Sequence, residues 1–192
     1  MFFGGRTALT SPRGVSLPRA PHAHATTAPT LSRDRQRAFR DHGHPAAGIW
    51  FRDAQLCTEL LSIFESYRDR TGLACLGYVL MPDHLHTVLI QTTEEGTPSR
   101  MMEHFKRFTS RRLLHLHCPQ AEGWRDLFDD VPVPGPNAIW TKLNYLHWNP
   151  CHKGLCTSPE QYQWSSARWY WLQKPGIIQL SDPPFPLFGR AG

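Results

Sequence analysis

Two histidines one residue apart, His84-Leu85-His86, have a spacing that could do chemistry. They sit at the start of the second of two short apolar runs, Leu73–Leu80 and Leu85–Gln91, which Met81-Pro82-Asp83 separates. Proline followed by aspartate is turn chemistry, and both runs are β-branched or aromatic in part, so a β-hairpin is predicted. Side chains alternate across a strand, which sends both imidazoles to one face and Leu85 to the other. Imidazoles at that spacing can ligate one divalent ion, but they equally suit the polar face of a half-exposed sheet. His115-Leu116-His117 repeats the spacing with no supporting context, so the bare pattern is weak.

The second pair is Tyr145 and Asn149, four residues apart and therefore on one face of a predicted helix. Asn137 is its expected N-cap, and Asn149-Pro150 its expected end, because the residue before proline avoids helical backbone. Ile139, Leu143 and Leu146 would face the core, and Lys142 lies on the side of Tyr145. A neutral phenol is a weak nucleophile unless a nearby cation or metal stabilises the charge that develops on reaction. Asn149 offers a neutral oxygen ligand. The alternative is plainer: a tyrosine and an asparagine at the surface of a core helix.

Other elements must hold these residues in place. Asp53 suits the N-cap of a helix running to about Arg70, with Leu56, Leu60 and Phe64 as its core-facing stripe. Thr97-Pro98 pairs a cap with proline at the first helical position, starting a helix to about His117 that stops before Pro119. Met101, Phe105 and Phe108 form its apolar face, while Arg100, Lys106, Arg107, Arg111 and Arg112 supply positive charge. Residues 118–136 read as a Pro-rich loop anchored by Trp124 and Phe128, and Ser158-Pro159-Glu160 starts a further short helical segment. Residues 1–46 differ from the rest: Thr30 is reached without an acidic residue or a lysine, and five prolines interrupt the stretch. A disordered extension is expected there rather than a transit peptide, then one domain over 47–173 and an irregular tail over 174–192.

Composition sets outer bounds. The chain has 192 residues, 40% of them hydrophobic, with seven Trp, ten Phe, a formal charge of +5 and a sequence pI of about 9.1. A basic, aromatic-rich chain suits an anionic polymer such as nucleic acid. Five scattered cysteines, an odd number, argue against a secreted disulfide framework and for reduced thiols in the cytoplasm. No run approaches the ~18 apolar residues of a membrane span.

Three stretches together carry a resemblance to a known family. Gly77-Tyr78-Val79-Leu80-Met81-Pro82-Asp83-His84-Leu85-His86 resembles the signature strand of the HUH single-tyrosine transposases, in particular the REP-associated tyrosine transposases of the IS200-like group. Tyr145-Leu146-His147-Trp148-Asn149-Pro150, with Lys153-Gly154-Leu155, and Pro159-Glu160-Gln161-Tyr162, leading into Trp164-Ser165-Ser166, resemble the same family in the same order. The resemblance runs from about Ile49 to Trp171. It implies an α+β fold of the ferredoxin-like or RRM-like kind, an antiparallel sheet with helices packed on it and the histidines on a central strand. It further implies His84, His86 and Asn149 as ligands of Mg²⁺ or Mn²⁺, with Tyr145 as the nucleophile in a bacterial, nucleoid-associated enzyme of DNA transposition. Such an enzyme nicks and rejoins single-stranded DNA beside small palindromic hairpins through a 5′-phosphotyrosine link. Some relatives exchange the tyrosine helix between subunits, which leaves monomer and homodimer both open.

In that setting Arg100, Lys106, Arg107, Arg111 and Arg112 become the expected phosphate-binding surface, with Lys142 near the tyrosine. Trp140 and Trp148 are candidates for base stacking or for packing. The family's first strand precedes the first helix with a Tyr-His-Val-Thr-like pattern, and residues 1–48 contain no match. The strand is expected to be missing or to come from a segment such as Gly48–Phe51. Two other readings stand beside the enzyme: a non-catalytic single-strand-binding module descended from it, and a structural zinc site drawn from Cys118, His147, Cys151, His152 and Cys156.

Overall fold

The computed structural model describes residues 37–43, 51–93, 96–114, 124 and 129–183. The element order is β1 (Arg37–Gly43), α1 (Ala54–Thr71), β2 (Ala74–Leu80), β3 (His84–Ile90), α2 (Pro98–Thr109), β4 (Asp129–Pro132), α3 (Gly135–His152) and α4 (Ala167–Leu172). A single π turn, Ser110–Leu114, continues α2, and a 3₁₀ turn, Pro159–Gln161, follows α3.

Local chemistry accounts for the first helix and the hairpin. Asp53 holds extended backbone and its carboxylate accepts from the Leu56 N–H at 2.7 Å, satisfying one of the helix's orphan donors. Gly72 ends α1 at φ 64°, where a side chain would be strained. Met81-Pro82-Asp83 turns the chain between β2 and β3, and the Met81 N–H closes on the His84 carbonyl at 2.7 Å.

The sheet has four antiparallel strands in the order β2-β3-β1-β4, so β3 lies between two neighbours. With α1 and α2 connecting the strands, this is the ferredoxin-like arrangement, and the expected α+β class holds. The strand β1 corrects the reading of the N-terminal segment. Arg37–Gly43 lies inside 1–46 yet pairs with β3 from Arg37↔Ile90 to Gly43↔His84. Phe51 sits in a turn, buried, with its N–H on the Pro82 carbonyl at 2.9 Å. The first strand therefore precedes the segment proposed for it. Residues 1–36 and 44–50 lie outside the described residues, as do His115–His117, Cys118, Phe128 and 184–192. The segment read as a loop, 118–136, also contributes β4, which pairs with β1 from Ala38↔Pro132 to Asp41↔Asp129.

Alternation along the strands builds two cores, one on each face. Leu85 and Leu89 of β3 join Leu60, Leu61 and Phe64 of α1 and Met101, Met102 and Phe105 of α2. Val88 and Ile90 point the other way, to Ile139, Leu143 and Leu146 of α3. Each such buried side chain contributes on the order of 1.5–3 kcal/mol. A β-bulge between Cys75 and Gly77 places Leu76 and Gly77 on the α3 face in succession. A Cβ at Gly77 would run into the end of the Leu143 side chain, which would have to shift to admit it.

Two boundaries of α3 differ from expectation. It begins at Gly135, so Asn137 lies within the first turn, and it runs through Pro150 to His152. Proline removes one helical donor near the end of the helix. Both Asn149 and Pro150 are buried, and this packing outweighs the local bias against helix before proline.

The outer edge of β2 is covered by the segment that follows α3. Leu80 N–H donates to the Trp164 carbonyl at 2.8 Å, Ser166 N–H to the Tyr78 carbonyl at 2.9 Å, and Val79 bridges to Ser165. The hydroxyls of Tyr162 and Tyr170 donate to the carbonyls of Leu80 and Leu76 at 2.9 and 2.6 Å. Further along, Ser181 N–H reaches the Cys75 carbonyl at 2.8 Å and Ile178 is buried, so this part of the irregular tail packs on the domain.

Candidate active site

Strand β3 sets the histidines. His84 and His86 share the strand face that carries Val88 and Ile90, the face covered by α3. Their Nε2 atoms lie 2.9 Å apart, with the rings edge to face at 4.5 Å between centroids. His86 is buried to 1% exposure, and the sheet supplies a neighbour on each side of its strand. Asp83 Oδ1 is 2.6 Å from His84 Nδ1, a contact that fixes the Nδ1–H tautomer and turns the Nε2 lone pair toward His86.

Helix α3 brings the rest. The Asn149 side-chain amide lies 2.9 Å from His86 Nε2 and is buried, while the Tyr145 ring sits 5.9 Å from the His86 ring at 72°. Tyr145 is half exposed, open to a substrate from the solvent side. All four residues belong to one chain, so their meeting requires no exchange of helices between subunits. Lys142 is half-buried one turn before Tyr145.

The three polar groups converge in a way that suits a divalent cation. Two ligands at ~2.0–2.1 Å on adjacent octahedral positions lie about 2.9 Å apart, the separation of the two Nε2 atoms. Amide nitrogen and oxygen are interchangeable by rotation of the side chain, and the alternative orientation turns Asn149 Oδ1 toward His86. Two imidazole nitrogens and one amide oxygen form a neutral donor set. Among the described residues no three His, Cys, Asp or Glu side chains cluster as a metal cage, so the set depends on the amide.

The basic residues of α2 are not brought to this point. α2 packs with α1 on the opposite face of the sheet from α3. Arg100, Arg107, Arg111 and Arg112 are exposed there, but Lys106 is buried to 8% exposure and leaves the exposed basic surface. The zinc reading loses His147, which is buried and occupied: its Nε2 lies 2.7 Å from Ser166 Oγ. Cys151 and Cys156 do approach, at 3.3 Å between sulfurs, as free thiols.

Reading the sequence missed two supports. Asp83 was assigned to the turn alone, although its place directly before the His pair was the available signal. The other is Ser166, whose Oγ accepts from the Tyr78 N–H at 2.9 Å and donates to the Tyr78 carbonyl at 3.1 Å. With its proton on Nε2, His147 donates the remaining bond, and burial pushes this imidazole down to about 3, so it stays neutral. The serine thus ties β2 to the middle of α3, between Tyr145 and Asn149. No sequence pattern announces that bond.

Fold and site together define an antiparallel α+β domain with a histidine pair on an inner strand and a tyrosine on the facing helix. Residues 50–128 match the family described as transposase, IS200-like. The match ends before α3, so Tyr145 and Asn149 lie beyond it. Among solved structures, the chain is similar to a REP-associated tyrosine transposase bound to a REP hairpin, at 13% identity and a TM-score of 0.57. That likeness covers 83% of this chain and 93% of the other, and it shows the fold. A protein of Deinococcus radiodurans R1 assigned as a transposase aligns over 64% of this chain and 95% of its own, at 16% identity and a TM-score of 0.46. No curated protein matches the chain.

Proposed function

We propose that this protein nicks and rejoins single-stranded DNA beside hairpin elements, using Tyr145 as nucleophile. The observation that carries the reading is the convergence of Tyr145, Asn149, His86 and His84 from one helix and one inner strand of the same chain. His84, His86 and Asn149 would hold Mg²⁺ or Mn²⁺, which supplies charge neutralisation on the non-bridging oxygens of the scissile phosphate. Tyr145 Oη attacks phosphorus and loses its proton to water. The bond to the 3′ oxygen breaks and that oxygen leaves as a hydroxyl, giving a 5′-phosphotyrosyl ester. The ester retains the energy of the phosphodiester, so attack by another 3′-hydroxyl reverses the step without a nucleotide cofactor. Asp83 keeps the His84 ring oriented, and Lys142 adds positive charge on the tyrosine's side of the helix. The exposed arginines of α2 would hold DNA away from the scissile bond, on the far face.

Single-stranded DNA carrying a hairpin, incubated with the protein and Mn²⁺ and run on a denaturing gel, tests this. A covalent protein–DNA adduct is expected, falling by roughly 10³-fold or more in Tyr145→Phe, with a melting temperature close to that of the parent because the ring is half exposed. Equal adduct from the variant would sink the assignment of the nucleophile. Chelation should abolish the adduct and leave DNA binding in place.

A further inference from the structure

We propose that Trp148 is a stacking platform for an unpaired base of the strand being cut, seating the nucleotide next to the scissile phosphate. This rests on the reading of Tyr145 as nucleophile. Thr141, Tyr145, Trp148 and His152 follow one line along α3, and all four are exposed. Among the described tryptophans, Trp148 is the exposed one, at 37%; Trp124 is buried in the α1–α2 core, and Trp140 packs edge to face on Tyr170. The exposed indole therefore lies one turn from the candidate nucleophile. Its ring is held near parallel to His152, at 26° and 6.4 Å between centroids, which restricts its orientation.

The position fits a nucleobase. Three residues of helix separate Trp148 from Tyr145, a rise of about 4.5 Å. A base on a sugar flanking the attacked phosphorus is within reach of that ring. Every base has a π face, so the contact would tolerate sequence and favour purines by area. The part of the indole that stays exposed, 37%, is apolar surface that a base could still cover on binding.

The test uses the full chain carrying Tyr145→Phe to prevent cleavage. Binding of labelled single-stranded DNA with a hairpin is measured while an abasic site is walked through the flanking nucleotides. The proteins compared keep Trp148 or carry Trp148→Phe or Trp148→Leu. At one position the abasic site should weaken binding about tenfold for Trp148, nearly as much for Trp148→Phe, and have little effect for Trp148→Leu. A flat abasic series with Trp148 present, or the same loss in Trp148→Leu, overturns the proposal. Should Trp148→Leu fold poorly, quenching of indole fluorescence by the DNA decides: equal quenching in the Trp148 and Trp148→Phe proteins overturns it too. With Tyr145 restored and Mn²⁺ present, adduct formation is scored separately. An adduct with a flat abasic series removes the platform and keeps the nuclease. A base-dependent loss of binding with no adduct removes the nuclease and keeps the platform.

Discussion

The two faces of the sheet are built to different ends. On the α1–α2 face, Leu85 and Leu89 meet a large apolar layer of leucines, methionines and phenylalanines, and the charged groups Arg68 and Lys106 sit at its margin with 8% exposure each. On the α3 face a smaller apolar layer holds four polar side chains that are buried almost as deeply: His86, Asn149, His147 and Ser166. Each of these four has a partner in the same layer. The first face supplies stability that is indifferent to chemistry. On the second, a small displacement of α3 disturbs packing and the candidate site together.

Substitutions can break or sharpen this contrast. Phe105 is fully buried against Phe64, edge to face at 5.3 Å. Phe105→Ala should cost about 3–5 kcal/mol in urea melts, yet leave adduct formation near parental at temperatures where the variant is folded. A selective loss of adduct would mean that the faces are not separable. Gly77→Ala pushes a methyl into Leu143 and sets it 3.2 Å from Ser166 Oγ. A smaller loss of stability, about 1–3 kcal/mol, should here come with a disproportionate fall in adduct formation, because α3 is the element displaced.

Acid should act through the second face. Buried His147 is held down to about 3 from its ordinary 6.5, so between those values the unfolded chain takes up a proton that the fold refuses. Its contribution is full above the ordinary value and is lost as pH falls, at up to about 1.4 kcal/mol per unit. Comparing urea melts at neutral and mildly acid pH, His147→Gln should lower stability at neutral pH and reduce the slope. An unchanged slope would assign acid sensitivity elsewhere. The smallest effect is expected on the far face: Arg107→Ala with Arg111→Ala should weaken hairpin binding modestly and lower its salt dependence by up to about two contacts. The rate of adduct formation at saturating DNA should not move, and a slower rate would place these arginines at the reacting phosphate.

Much of this was legible in the residues, for physical reasons. Asp53 and the Leu56, Leu60, Phe64 stripe announce α1, and the Pro82-Asp83 turn between apolar runs announces the hairpin that carries His84 and His86. Tyr145 and Asn149 share a helical face by spacing alone. β1 was hidden because Arg37-Ala38-Phe39-Arg40-Asp41-His42-Gly43 shows no apolar alternation, its pairing with β3 being long-range. β4 is four residues long, Asp129–Pro132, too short for a pattern. The helix through Pro150 reflects burial overriding a local preference. The face to which α2 turns its charges depends on topology, and neither the charges nor their spacing along the helix encodes it.

The strip from Tyr162 to Ser166 bears on how the protein behaves in a crowded solution. A sheet border with free amides and carbonyls invites another chain to lengthen it, the route by which folded domains swap strands or build fibrils. Here that border is already taken by the chain's own backbone and tyrosine hydroxyls. A truncation ending soon after α3 would keep His84, His86, Tyr145 and Asn149, and its expected failing is self-association along β2, visible as light scattering that rises with concentration.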